Sequence, residues 1–143
     1  MNVAAILEEK GRDVVTLKAD ATLSEAASRL DHHGIGAVVI VANDGAIAGV
    51  LSERDIVRQV ARQGAAALVE TVAGCMTRDV VTAKPADTLE AVMASMTDRR
   101  IRHLPVVENG QLSGIVSIGD VVKRRIDMTE AEAEAMKAYI ASA

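Results

Sequence analysis

The chain has 143 residues, half of them apolar, and a formal net charge of −4. The mild acidity argues against a nucleic-acid partner, because no basic surface would release counterions from a phosphate backbone, and the single cysteine rules out an internal disulfide. Since the longest apolar run, Ile35–Ala42, is far shorter than the ~18 residues of a membrane span, we expect a soluble, cytoplasmic protein with no membrane partner.

In chain order, the predicted elements form one series that occurs twice. Val14–Leu23 and Val80–Leu89 carry Val, Val, Thr, Lys, Thr and Leu at the same places, 66 residues apart, and such self-similarity is typical of a duplicated structural unit. Each copy predicts a lead-in helix, a strand, a helix, a hairpin of two strands and a closing helix. The bounds in the first copy are Val3–Leu7, Val14–Leu17, Leu23–His32, a hairpin turning at Asp44-Gly45, and Glu53–Arg62. Those in the second copy are Val72–Met76, Val80–Thr82, Leu89–Arg99, a hairpin turning at Asn109-Gly110, and Ile118–Ile126.

Two kinds of pattern support these elements. The run from Leu23 to Leu30 carries apolar residues at i, i+3, i+4 and i+7, which is typical of an amphipathic helix. Asp-Gly and Asn-Gly favour type I′ hairpin turns, because both central residues of that turn need positive φ. A three-stranded sheet with helices on one face leaves its other face uncovered, so we expect the two copies to cover each other about a pseudo-two-fold axis.

The sequence therefore predicts an α+β fold of two β-α-β-β-α repeats, residues 1–64 and 65–127, followed by a C-terminal helix in residues 128–143. Thr129-x-x-Glu132 has the spacing of a capping box, in which a helix's first side chain and its fourth bond each other's backbone amides. A helix this short must dock on something, and either its own body or a second copy in a homodimer could receive it. Its apolar stripe consists of Met128, Ala135, Met136, Tyr139 and Ile140.

The sharpest repeated motif is Ser-x-x-Asp, at Ser52…Asp55 and Ser117…Asp120, each time after a Gly-apolar-apolar strand end. One interpretation is purely structural, since this spacing also fits a capping box. The other is functional: a helix N-terminus after a strand can bind anions and hydroxyls, and a carboxylate there can accept hydrogen bonds from a ribose diol. The motif alone favours the cap, and its recurrence in both copies adds support to the functional interpretation.

Gly-apolar-apolar-Ser-x-x-Asp closing a β-α-β-β-α unit, in tandem, resembles the cystathionine-β-synthase (CBS) domain pair, or Bateman module. The segment Ile101–Val122 carries much of the resemblance, which extends from Val3 to Ile126. It implies a stand-alone bacterial sensing protein, not an enzyme, that binds adenosine-containing ligands in clefts between the repeats and regulates a partner still to be identified. AMP is the favoured ligand, and ATP, NAD(H) and S-adenosylmethionine belong to the same class. The resemblance also implies a flat homodimer formed through helical faces.

Carried over position by position, the resemblance implies a set of ligand-binding residues. The aspartates and serines of the repeated motif bind ribose, threonines of the first strands lie near it, second-strand residues contact the base, and basic residues before the second strand contact phosphate. This set comprises Thr16, Ala37, Val38, Ser52, Asp55, Thr82, Arg100, Arg102, His103, Leu104, Pro105, Ser117 and Asp120. Arg54 is a further candidate to contact phosphate in the first repeat, which departs from the family's basic pattern. Because Gly36 and Ala37 stand where the second repeat has Arg102 and His103, we expect the two clefts to differ, the Arg102 cleft preferring AMP.

Two other functions remain open at this point. The protein could be a structural or interaction protein whose Ser-x-x-Asp motifs are only helix caps and whose clefts stay empty. An enzyme is disfavoured, because the sequence shows no arrangement of nucleophile and base typical of covalent catalysis. A zinc site is disfavoured as well, because Cys75 and three histidines, two of them adjacent, are the only soft ligands.

Overall fold

A computed structural model describes residues 1–142, in which two small sheets are each covered by helices. The first half contains α1 (Val3–Lys10), β1 (Thr16–Lys18), α2 (Leu23–His33), β2 (Ala37–Val41), β3 (Ile47–Ser52) and α3 (Glu53–Gln63). Two short 3₁₀ segments connect the halves, Gly64–Val69 and Val72–Gly74. The second half contains α4 (Leu89–Arg99), β4 (His103–Glu108), β5 (Gln111–Ser117) and α5 (Ile118–Ser142). None of the helices in these residues has both the length and the apolar composition that a membrane crossing requires.

The two sheets differ at their first strand, and Pro105 explains the difference. In the first sheet β1 pairs in parallel with β2, and the Val39 amide donates to the Val15 carbonyl at 3.2 Å. Pro105 is the counterpart of Val39 and has no amide hydrogen to donate. The predicted strand Val80–Thr82 is therefore reduced to one bridge between Ala83 and Val106, and the second sheet keeps two strands.

The lead-in segments are exchanged between the repeats. Val3, Ile6 and Leu7 of α1 lie in the core of the second repeat, while Val72 and Met76 lie in the core of the first. The same backbone contacts anchor both segments: the Val3 amide donates to the Asp87 carbonyl at 2.9 Å, and the Val72 amide donates to the Ala21 carbonyl at 2.8 Å. The expected pseudo-two-fold relation thus includes a crossing of the chain that no local sequence pattern signals.

A glycine in each repeat leaves room for the exchanged segment. A Cβ atom at Gly114 would lie 2.7 Å from Leu7 Cδ2, and one at Gly49 would lie 2.6 Å from Met76 Sδ and 2.8 Å from the Thr77 carbonyl oxygen. These glycines begin the Gly-apolar-apolar-Ser-x-x-Asp motif. The first residue of the motif therefore has a packing role, because it lets the lead-in segment lie directly on the strand.

The hairpin turns agree only partly with the predicted type. Asn109 and Gly110 both have positive φ, of 53° and 77°, as a type I′ turn requires. In the first hairpin only Gly45 does, at 85°. There the Asp44 carboxylate accepts a hydrogen bond from the Ala46 amide at 3.0 Å, so a side chain takes part in the turn.

The closing helix and the C-terminal helix are one element. The predicted helix start at Thr129 is wrong, because α5 continues without a break from Ile118 to Ser142. No glycine or proline occurs between Asp120 and Ser142, and the Thr129 hydroxyl donates to the Arg125 carbonyl, one turn earlier, at 3.0 Å. This backward bond is a common alternative to capping for a threonine inside a helix. The second half of α5 thus extends the closing helix with an exposed, partly apolar surface.

Candidate functional site

Ser52 and Asp55 form a complete capping box at the N-terminus of α3. The Ser52 amide donates to Asp55 Oδ2 at 2.9 Å, and the Asp55 amide donates to Ser52 Oγ at 3.3 Å. The structural interpretation of the motif is therefore correct. The cap leaves one carboxylate oxygen available, because Asp55 Oδ1 has no hydrogen-bond partner among residues 1–142. Asp55 is held in place at the positive end of a helix dipole with one oxygen free.

A cleft of about 450 Å³ opens in front of this carboxylate, between the two repeats. This volume lies in the range of small-ligand sites. The first repeat contributes Gly36, Val50, Ser52, Glu53, Arg54, Asp55 and Arg58, and the second contributes Thr77, Asp79, Val80, Val81, Arg99, Arg100, Ile101, Arg102 and His103. Five arginines thus face three carboxylates, so the cleft is electropositive and contains a small apolar section.

The connection between α4 and β4 brings the basic residues into the cleft. Arg100 follows the last residue of α4 and has a left-handed backbone, with φ of 54°. The equivalent position in the first repeat is Gly34, with φ of 62°. A side chain at such a position costs backbone strain that glycine avoids, and strained residues cluster at functional sites. An arginine where glycine would be easier therefore favours a binding role for this connection.

His103 begins β4 and approaches the first repeat closely. A Cβ atom at Gly36 would lie only 3.2 Å from His103 Cε1, so glycine at position 36 makes room for the imidazole ring. Burial lowers the pKa of His103, and the positive charges of Lys10 and Arg102 act in the same direction, whereas the nearby carboxylates oppose it. The ring is thus held neutral to a lower pH than a free histidine.

The second box, Ser117 with Asp120, has the same two bonds from backbone amides but different surroundings. The Ser117 amide donates to Asp120 Oδ2 at 2.8 Å, and the Asp120 amide donates to Ser117 Oγ at 3.1 Å. Lys10 Nζ lies 2.6 Å from Asp120 Oδ2. Burial alone would raise the pKa of Asp120, but the hydrogen bonds from Lys10 and Ser117 outweigh it and lower that pKa.

The structure brings together six of the residues expected at the site: Ser52, Arg54, Asp55, Arg100, Arg102 and His103. Six others lie outside the cleft lining, on or beside the strands: Thr16, Ala37, Val38, Thr82, Leu104 and Pro105. Ser117 and Asp120 belong to the second box. The basic cluster of the second repeat therefore faces the Asp55 box of the first repeat.

Several residues of the cleft were not expected from the sequence, chiefly Glu53, Thr77 and Asp79. Thr77 and Asp79 follow the exchanged lead-in segment, and Thr77 forms two backbone hydrogen bonds with Val50, of 3.0 and 2.9 Å, along the edge of β3. Only the exchange brings them beside Asp55, and no local pattern in the sequence signals it. No group of three or more potential metal-ligating side chains occurs in residues 1–142.

Comparisons with known proteins agree with this architecture. The model of the CBS domain matches residues 7–62 and again residues 69–127. The crystal structure of the CBS-domain containing protein ATU1752 from Agrobacterium tumefaciens is 50% identical, with a TM-score of 0.85 over 87% of this chain and 92% of that one. The CBS domain pair of protein MJ0100, solved in complex with 5′-methylthioadenosine and S-adenosyl-L-methionine, is 26% identical, with a TM-score of 0.80 over 90% of this chain and 98% of that one.

Sequence comparison gives the same relationship. The mitochondrial CBS domain-containing protein CBSX3 of Arabidopsis thaliana is 32% identical over 146 residues, which are 96% of this chain and 71% of that protein. The two matched regions correspond to the two halves that are related by the pseudo-two-fold axis. The chain therefore belongs to the CBS-domain family and contains two CBS domains in tandem.

Proposed function

We propose that this protein is a non-enzymatic regulatory module that binds an adenosine-containing ligand in the Asp55 cleft. The observation that carries the proposal is the free carboxylate oxygen of Asp55 facing an arginine-lined cavity of about 450 Å³. The related CBS pair that was solved with 5′-methylthioadenosine and S-adenosyl-L-methionine supports the adenosine part.

The cleft supplies a different contact for each part of such a ligand. The Asp55 carboxylate can accept hydrogen bonds from a ribose diol, and the apolar side chains of Val50, Val80, Val81 and Ile101 can cover an adenine ring. The arginines favour a negatively charged third part. An anionic nucleotide such as AMP therefore fits better than S-adenosylmethionine, whose sulfonium group is positive.

The first test removes the charge of the ribose-binding residue. Asp55→Asn should weaken AMP binding about tenfold or more, because a hydrogen bond to a charged group contributes roughly 1.5–3 kcal/mol. The amide oxygen of asparagine can still accept from the Ser52 amide, so the helix cap survives. Isothermal titration calorimetry with AMP measures the effect, and Asp20→Asn, an exposed aspartate outside the cleft, is the matched control. Equal affinities in the wild type and in Asp55→Asn would contradict the proposal.

Regulation would follow from the position of the cleft between the repeats. A ligand that touches both repeats favours the arrangement that it binds best, and this changes the surface offered to a partner protein. The alternative of a protein with permanently empty clefts predicts no binding of AMP, ATP, NAD(H) or S-adenosylmethionine. The same titrations distinguish the two.

We also propose that two copies associate through α5. Five exposed apolar side chains follow one line along this helix: Ile118, Val122, Ile126, Met136 and Ile140. Their spacings of four, four, ten and four residues keep them on one side of a helix. A second copy is the occupant that we propose for this stripe, because an exposed apolar strip of this length is costly in water.

A charged residue within the C-terminal part of the stripe tests the dimer. Met136→Lys should shift the protein toward the 15.0 kDa monomer, whereas Ala138→Lys, on the opposite side of the same helix turn, should not. Light scattering on a sizing column at tens of micromolar reports the mass. A wild-type chain that already elutes as a monomer under these conditions would disprove the dimer.

A further inference from the structure

The two Ser-x-x-Asp boxes differ in what lies in front of the carboxylate. Lys10 Nζ lies 2.6 Å from Asp120 Oδ2 and donates a second hydrogen bond to the Ile115 carbonyl at 3.0 Å. No lysine, arginine or histidine of residues 1–142 pairs with Asp55 in this way. The carboxylate of the second box is thus already bound by a cation of the chain itself, anchored at two points.

A short insertion in the first repeat supplies this lysine. Val3–Leu7 matches Val72–Met76 at a spacing of 69 residues, whereas the following strands match at 66. The first repeat therefore has three more residues at this point, Glu8, Glu9 and Lys10. They add almost one turn to α1, which runs for 8 residues, while its counterpart is a 3₁₀ segment of 3 residues.

Ion pairs hold the extra turn of α1 against the second repeat. Glu9 forms ion pairs with Lys123 and Arg124 of α5, so the end of α1 is held against the helix that carries Asp120. Since α1 is exchanged between the repeats, its last turn lies beside the second box. In the other repeat Met76 is followed directly by Thr77, which bonds to β3 and lines the open cleft.

The space beside the two carboxylates differs accordingly. The cleft at Asp55 has about 450 Å³, whereas the cavity beside Asp120 has about 100 Å³ and lies between α1 and α5, lined by Ile6, Glu9, Lys10, Asp120, Lys123, Arg124 and Asp127. Small-ligand sites usually have about 300–1,000 Å³. The basic cluster is missing as well, because the counterparts of Arg99, Arg100 and Arg102 are His33, Gly34 and Gly36.

We propose that Lys10 closes the second cleft of this protein, so that each chain binds one nucleotide, at Asp55, and that Lys10 is the residue that sets this number. The identity of the nucleotide rests on the proposed function, whereas the closure rests on the Lys10–Asp120 contact. Lys10 and the Ser117 amide both bond Asp120 Oδ2, so a ligand that lies in front of this oxygen would have to displace an ammonium group that is held by both a carboxylate and a carbonyl.

The test counts bound ligand per chain. Lys10→Met keeps the length of the side chain but removes its charge and its donors. The ligands are AMP and, separately, adenosine, because the counterparts of Arg99, Arg100 and Arg102 are not basic at neutral pH or are glycines. Equilibrium dialysis should give about one ligand per wild-type chain and about two per Lys10→Met chain. Lys18→Met is the matched control, because Lys18 also donates to a backbone carbonyl, that of Ala42 at 3.1 Å, and forms no ion pair within residues 1–142. It should bind as the wild type does.

A double variant separates this inference from the proposed function. Asp55→Asn impairs the first cleft, so Lys10→Met combined with Asp55→Asn should recover about one ligand per chain relative to Asp55→Asn alone. Such a gain supports closure by Lys10 even if the wild type binds nothing, in which case the proposed function at Asp55 fails by itself. Two ligands on the wild type, or no additional ligand on any Lys10→Met chain, would overturn the inference.

Discussion

Replacing Leu7 with alanine is expected to lower the free energy of unfolding by about 2–5 kcal/mol, the range measured for large-to-small changes in protein cores. Leu7 is buried in the core of the second repeat, although it lies near the start of the chain. It packs directly on Gly114, where no side chain could move in to fill the space. The loss should therefore fall in the upper half of this range. Urea denaturation followed by circular dichroism measures it.

The exchange of lead-in segments is what this experiment examines. If α1 only rested on the surface, Leu7→Ala would cost less than about 1 kcal/mol, as surface changes do. Leu68→Ala serves as the control, because Leu68 is 38% exposed and lies in the 3₁₀ segment between the repeats. A loss at Leu7 no larger than that at Leu68 would show that α1 is not part of the second core.

Replacing Arg102 with alanine is expected to weaken AMP binding about tenfold to a hundredfold and to leave adenosine binding nearly unchanged. A charge-assisted hydrogen bond to phosphate contributes roughly 1.5–3 kcal/mol. Adenosine has no phosphate, so its binding does not depend on this contact with Arg102. Arg102 is exposed in the Asp55 cleft and forms no ion pair within residues 1–142, so its guanidinium group is available to a ligand. Calorimetric titration with both ligands gives the ratio.

The comparison of two ligands makes this prediction specific. A general weakening of the fold would reduce the affinity for AMP and for adenosine equally, and such a result would assign Arg102 to the structure instead of the phosphate. Arg12→Ala is the control, because Arg12 pairs with Glu108 at 3.7 Å and lies outside the cleft lining. Its two affinities should match those of the wild type.

Local patterns were enough to predict most of the helices and strands. The apolar spacing of α2 and α4, and the Asn109-Gly110 turn, depend on neighbours within a few residues, and such information is present in any single sequence. The failures have specific local causes. The strand at Val80–Thr82 was lost because Pro105, on the adjacent strand, lacks a donor, and the break before Thr129 was wrong because a threonine hydroxyl can bond backward as easily as it can cap.

The candidate site shows where a single sequence stops being informative. The Ser52…Asp55 motif was recognisable, because it combines a cap and a carboxylate at a spacing of three residues. Its neighbours in the cleft were not, because Thr77 and Asp79 reach Asp55 through a crossing of the chain that has no local signature. The contrast between Asp55 and Asp120 was hidden for the same reason: Lys10 is 110 positions away from the carboxylate that it binds.

The exchanged lead-in segments restrict what half of this protein could do alone. A chain cut within Gly64–Val69 would give two fragments, each of which keeps the segment that completes the other's core and lacks the segment that completes its own. One fragment by itself would expose the apolar groove beside its motif glycine. Two separate single-repeat chains could form this fold only by exchanging their lead-in segments, as in domain swapping. A one-repeat precursor with this geometry would have had to form a homodimer in order to fold. Joining two copies in one chain makes the association of the two repeats intramolecular, so that it no longer depends on protein concentration.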